Sequence, residues 1–340
     1  MENKIVIADS LEDSISRLNM KAGNKLSDFI KSLNDKHTIE MIDNGKSSIN
    51  PPLNYFTFPF DEHRLVFKKY NEREYVFIDI ISRGFDSKYI EFDWYDIYSC
   101  IAKMLVDFYY KNTEDASVKL MGLFRSGYTF SNEFNRWSEK RIDLDPIDVF
   151  SSFNTIRRDD NKLDIMNLIL LDLCKYHGIE YKPIKNVSFF GCPSVFGGHA
   201  FVGRSIPVQH RVWEVFSNAV TKSDISDFEF EELRDWFGIG VSSFTVFLFW
   251  VNSRNFMPLD KHTTSYLISQ GEMKRLPQTT KEYIDLIVEE NTDKYLKLCR
   301  KSYLGAFGSV SRRVAIEKDM PIQYSMETDS IEFPEPMSLD

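Results

Sequence analysis

The sequence predicts an α+β protein: a small α+β domain over residues 1–145, a mostly α-helical domain over 146–315, and a tail over 316–340. Three observations carry that division. Two runs rich in Val, Ile, Phe and Tyr, HRLVFKKY and EYVFIDIIS, flank Asn71-Glu72-Arg73 and read as an antiparallel hairpin. From about Asp93 onward, apolar residues recur at helical spacing instead. The tail is aperiodic, contains proline and carries 7 acidic side chains against 1 basic one, a composition expected to stay disordered.

Taken in order, residues 1–50 read as mostly helical, with Leu18, Leu26, Phe29, Ile30 and Leu33 at mixed helical spacings. Asn50-Pro51-Pro52 ends that region, and Asn54 to Phe60 offers a third strand beside the hairpin. Asp93 to Tyr110 predicts a helix through Ile97, Ile101, Met104, Leu105 and Phe108. A polar segment, Asn132 to Pro146, separates the two parts. Asp164 to Tyr176 predicts a helix burying Ile165, Leu168, Leu171 and Leu173, and Val208 to Ala219 another around Trp213. Between them lies a glycine- and phenylalanine-rich loop, Asn186 to Gly203, that lacks any phosphate-binding frame. Ser226 or Asp227 is expected to cap the next helix, with Glu229 completing a capping box. Lys281 to Glu289 and Asp293 to Ser302 predict the last two helices.

The net charge of −9 argues against a generally basic nucleic-acid binder, but the charge is uneven. Residues 1–150 are net −5, residues 151–315 net +2 and residues 316–340 net −6. Only the central region suits contact with a polyanion through a local patch. Cys100, Cys174, Cys192 and Cys299 are far apart and form no C-x-x-C pair, as expected of thiols in a reducing compartment. No opening segment reads as a signal peptide, and the strongest apolar run, Phe244 to Val251, is too short to span a bilayer. The expectation is a cytoplasmic protein that does not partner a membrane.

The chain is organised around Glu231 to Tyr266. There, a short charged helix leads into Gly238-Ile239-Gly240. Glycine accepts the positive φ that a tight reversal between helices needs. The next helix should start near Val241 and present unpaired N–H groups suited to a phosphate. Asp260 then follows Gly240 by 20 residues, room for a three-turn helix, a loop and an acid at the next helix start.

This arrangement resembles the helix-hairpin-helix DNA glycosylase superfamily, which includes endonuclease III, adenine glycosylase and 8-oxoguanine glycosylase. Trp236, Gly238, Ile239, Gly240 and Ser243 fall on the family's hairpin motif, and Leu259, Asp260 and His262 on its acid motif. The close resemblance covers about 36 residues. It implies DNA as a partner, contacted by Gly238, Ile239, Gly240, Ser242, Ser243 and His262, with Asp260 as the catalytic acid in base excision and DNA repair. Ser242 stands where bifunctional members carry a lysine, so no Schiff base can form there and a purely hydrolytic reaction without strand cleavage is expected. The cysteine spacing also excludes the iron–sulfur cluster of some relatives. No cofactor is expected, and no His/Cys cluster has transition-metal spacing, although hairpins of this family can hold a monovalent cation through backbone carbonyls, which leaves no side-chain signature. Members of the wider fold also occur in bacterial antiviral defence.

The chemistry asks for a carboxylate beside a sugar that gains positive charge as its base departs, and for anchors on the flanking phosphates once that base has left the stack. Asp260 fits the first need. It equally fits a helix N-cap, and the two roles are compatible because a capping carboxylate is fixed in place. Lys261 is next to the acid but directed elsewhere on the helix start. His262, His199 and His210 have packing or surface roles as their ordinary alternative. Lys294, Lys297, Arg300, Lys301, Arg312 and Arg313 form a second basic group, either a phosphate contact or a solvated face. Asp79 and Asp86 lack the Glu-x-Lys of a metal-dependent nuclease and read as structural or surface acids. The rival reading is a catalytically inactive nucleic-acid-binding or protein-interaction component that keeps the hairpin.

Overall fold

A computed structural model describes residues 4–8, 11, 14, 15, 18, 20–33, 35–82, 90–125, 143–156, 159–193, 204–236, 238–287 and 293–307. Helices and a mixed sheet together make an α+β fold. The sheet has five strands: β1 (Lys4–Ile7), β2 (Ser47–Ser48), β3 (Tyr55–Phe60), β4 (His63–Asn71) and β5 (Glu74–Ser82). Their spatial order is β1-β5-β4-β3-β2, with β1 parallel to β5 and the other pairs antiparallel. The expected hairpin of β4 and β5 and the third strand are present. The first 50 residues, however, also contribute β1 and β2 to the sheet, beside helices α1 (Met20–Ser32) and α2 (Lys36–Gly45). Lys4–Ile7 is too short to show a period, so its strand character comes only from pairing with β5.

Strand side chains alternate between two layers. Phe58, Leu65, Phe67, Tyr75 and Phe77 meet Leu26 of α1, Leu33 just after it, and Ile39 and Ile42 of α2 in one small core. Tyr55, Val66 and Ile81 face the other way and join a large core with the rest of the chain. A register shift between Val66 and Phe67 lets Phe77 and Ile80 of β5 share a face despite their odd spacing.

The large core is built on α3 (Trp94–Lys111), α4 (Ala116–Arg125), α5 (Pro146–Asn154), α6 (Asp159–His177), α7 (Ile206–Thr221), α8 (Val241–Val251), α9 (Lys261–Ser269), α10 (Thr280–Leu286) and α11 (Lys294–Phe307). Two short parallel strands, β6 (Phe92–Asp93) and β7 (Val187–Ser188), pair in front of α3. Phe244 to Val251 of α8 are buried on every side, which is why this helix shows no polar face. In α6 the buried side is Ile165, Met166, Ile169, Leu170 and Leu173, whereas Leu171 is exposed, contrary to expectation.

Two charged ties hold the sheet to the helices. Lys68 of β4 is buried, and its Nζ donates to Tyr95 Oη at 2.8 Å, Asp96 Oδ2 at 3.1 Å and Asp93 Oδ2 at 3.2 Å. Burial opposes this ammonium, but Asp96 and the surrounding oxygens outweigh it and raise Lys68 well above the usual lysine range. Glu74 of β5 binds Arg254, in the loop after α8, through two bonds of 2.9 and 3.1 Å. No described helix is long and apolar enough to cross a membrane.

Candidate functional site

The hairpin is built by one left-handed residue. Gly238 has φ +76°, a conformation costly for any residue with a Cβ, and Ile239 N–H closes the turn on the Trp236 carbonyl at 2.9 Å. Gly240 is different: its φ of −101° and ψ of 175° are open to other residues, and an added Cβ would meet nothing within 4 Å. The segment before the turn is a 3-10 helix, Phe230–Asp235, capped by Glu229 with Glu232. The cap is thus not Ser226 or Asp227, because Ser226 turns to Asp224 instead. Phe228, Phe230 and Trp236 pack on Phe244 with ring centroids 4.7, 6.0 and 5.7 Å away, which accommodates a large residue at this point of α8.

Gly240 is the N-cap of α8, and it offers no side chain to the first N–H groups. Val241, Ser242 and Ser243 are partly exposed there, at the positive end of the helix. Ser242 Oγ donates to the Leu259 carbonyl at 2.7 Å. Thr245 Oγ1 receives the Leu259 N–H at 3.1 Å and donates to the Ser242 carbonyl at 3.0 Å. These three bonds lock the loop that ends in Asp260 onto the first turn of α8.

Asp260 caps α9: Oδ1 accepts the Thr263 N–H at 2.9 Å. Oδ2 accepts the Tyr303 hydroxyl of α11, also at 2.9 Å. Burial, and then the neighbouring Asp260, push the Tyr303 phenol far above its usual value, so it stays a neutral donor. Asp260 is 7% exposed. His262 lies against the Tyr303 ring, centroids 4.8 Å apart. Behind this group Thr263 meets Ser302 at 3.3 Å, and Cys299 Sγ donates to the Gly191 carbonyl at 3.1 Å. Burial raises the Cys299 thiol well above its ordinary range, so it remains an inert donor. Gly191 has φ +71°, and an added Cβ would sit 2.6 Å from Arg300 Cγ, so the described start of the glycine-rich loop is pressed onto α11.

The remaining expected residues scatter. Lys261 and His210 are exposed. Arg300 turns inward to Asp93, at 3.6 Å, and so leaves the group formed by Lys294, Lys297 and Lys301. Asp79 accepts from Ser14 Oγ at 2.6 Å and from Ile80 N–H at 2.8 Å, a structural role. Asp86, His199, Arg312, Arg313, the Gly197-Gly198 pair, residues 132–142 of the separating segment and the 316–340 tail lie outside the described residues. Among the described residues no group of three or more His, Cys, Asp or Glu is placed to hold a metal. Tyr303, Thr245 and Arg254 escaped the sequence reading, because their roles come from contacts 14 to 180 residues away along the chain.

A protein family described as a domain of unknown function, DUF8425, matches residues 94–303, more than half of the chain. The chain belongs to that family. The matched span begins at α3 and includes α8, the hairpin and Asp260. No curated protein and no solved structure matches the chain.

Proposed function

We propose that the protein is a helix-hairpin-helix, glycosylase-like DNA-binding protein, in which the Gly238–Ser243 turn anchors a phosphate and Asp260 supports water-based hydrolysis of an N-glycosidic bond. One observation carries this reading: the α8 N-terminus and the Asp260 carboxylate are fixed to each other through Ser242, Leu259 and Thr245. An exposed helix start supplies amides for a phosphate. A carboxylate held at a fixed offset from that anchor can stabilise positive charge on the neighbouring sugar. Two of its roughly four acceptor sites are taken by Thr263 and Tyr303, so the carboxylate keeps the capacity to accept from a water. Ser242 spends its hydroxyl on Leu259 and brings no amine, consistent with hydrolysis without a lyase step.

A second reading is a binding module without catalysis, favoured by the 7% exposure of Asp260. Duplexes carrying different modified bases, incubated with the protein and then treated with alkali, separate the two. Catalysis predicts abasic sites that Asp260→Asn abolishes, while salt-dependent binding of the duplex persists. Asparagine retains the capping oxygen, so the helix stays in place. Base release by Asp260→Asn at the parental rate would remove Asp260 from the chemistry, and binding without any release would leave the module alone.

A further inference from the structure

Between the sheet and the C-terminal helices lies a cleft of about 760 Å³, a size typical of small-molecule sites. It lies apart from the hairpin, and neither Gly238–Ser243 nor Asp260 lines it. Its lining includes Tyr70 and Val76 of the sheet and the apolar side chains of Met257, Leu267, Met273 and Leu298. Methionine and leucine surfaces of this kind suit a flat, apolar body.

The polar groups in the cleft are unevenly committed. Glu74 is neutralised by Lys4 at 3.0 Å and Arg254 at 2.9 Å, and Asp285 by Lys281 at 2.8 Å. Lys297 and Lys301, one turn apart on α11, both line the cleft and make no ion pair among the described residues. Arg254 stacks on Tyr70 with its guanidinium carbon 4.2 Å from the ring centre. Among the described residues its Nε is buried with no hydrogen-bond acceptor, and an Asp293 carboxylate oxygen lies 3.9 Å away. A buried donor without an acceptor calls for an explanation, and a ligand or water in the cleft supplies one.

We propose that this cleft binds a small organic phosphate with a flat apolar body, the class of the nucleoside phosphates. The body lies among Met257, Leu267, Met273 and Leu298, the phosphate meets Lys297 and Lys301, and the Arg254 Nε finds its acceptor. Glu272, also in the lining, is a carboxylate suited to a sugar hydroxyl. Arg254 and Met257 belong to the loop that ends in Asp260, and Leu267 to the helix that Asp260 caps. The ligand therefore touches the segment carrying that acid, although the proposal does not depend on what Asp260 does.

The test is thermal shift and calorimetry on the full chain with ATP, GTP, CTP, UTP, their monophosphates, inorganic phosphate and a single-stranded 20-mer DNA. At least one nucleotide, at about 100 times its Kd, should raise the melting temperature by roughly 5 °C. Lys297→Glu with Lys301→Glu, both exposed, should leave the unliganded melting temperature unchanged and weaken binding at least ~10-fold. The proposal is overturned if no nucleotide binds, if the double variant binds as the parent does, if inorganic phosphate binds as tightly as the best nucleotide, or if only the DNA binds.

Discussion

Asp260 receives one backbone and one phenolic donor, and each does a different job. The Thr263 N–H completes the cap of α9, while the Tyr303 hydroxyl ties that cap to α11. Tyr303→Phe keeps the ring against His262 and removes only the hydroxyl, so it should cost about 1–2 kcal/mol, read in a denaturant melt. Asp172 of α6 is an acid of the opposite kind. It is buried, one carboxylate oxygen has no hydrogen-bond partner among the described residues, and burial raises its pKa to about 6, with Lys175 opposing. A carboxyl raised on folding binds its proton more tightly in the native state. Its unfavourable contribution is therefore absent below pH 4 and grows as pH rises through 6. Asp172→Asn should flatten the fall in stability between pH 4 and 6 and stabilise the neutral protein by about 1–2 kcal/mol. A melt series showing the same slope in parent and variant would contradict that assignment.

The hairpin shows how far an element can be read from sequence. Gly-Ile-Gly, the start of α8 at Val241 and the capping position of Asp260 were all legible, because each depends on residues within a few positions. What was illegible is which glycine is needed. Only Gly238 has a positive φ, and φ depends on how the 3-10 helix and α8 meet. Gly238→Ala should then cost about 1–2 kcal/mol of stability, whereas Gly240→Ala should cost almost none. The pair is informative for function as well. Since Gly240→Ala leaves the fold intact, any loss of DNA binding in that variant reports the approach of a phosphate to the helix start. The strands were legible in β4 and β5, where Val, Ile, Phe and Tyr are dense. In Lys4–Ile7 four residues could not outweigh the helical pattern that follows.

At the scale of the molecule, the sheet and the family domain are joined through charges that the sequence scatters. Lys68, Asp93 and Asp96 lie 25 and 28 residues apart along the chain, and nothing in their spacing announces a pair. In the structure Lys68 sits among two aspartates and the Tyr55 and Tyr95 hydroxyls, and Tyr55 also donates to Asp96 at 2.5 Å. Burial raises Asp96, Asp93 adds to the effect, and Lys68 is the cation that opposes both. Lys68→Met preserves the aliphatic stem and deletes the charge, leaving two acids together at the interface with Arg300 as the remaining nearby cation. Removing one partner of a buried pair typically costs about 3–5 kcal/mol, well above an exposed pair. The loss should be smaller at acid pH, where protonated aspartates no longer need the ammonium, so parent and variant melts should converge as pH falls. The Glu74–Arg254 tie provides the control. It is better supplied with partners through Lys4, so Arg254→Met should destabilise less than Lys68→Met and with less pH dependence. Equal losses in the two variants, unaffected by pH, would mean that packing and not charge holds the sheet to the helices.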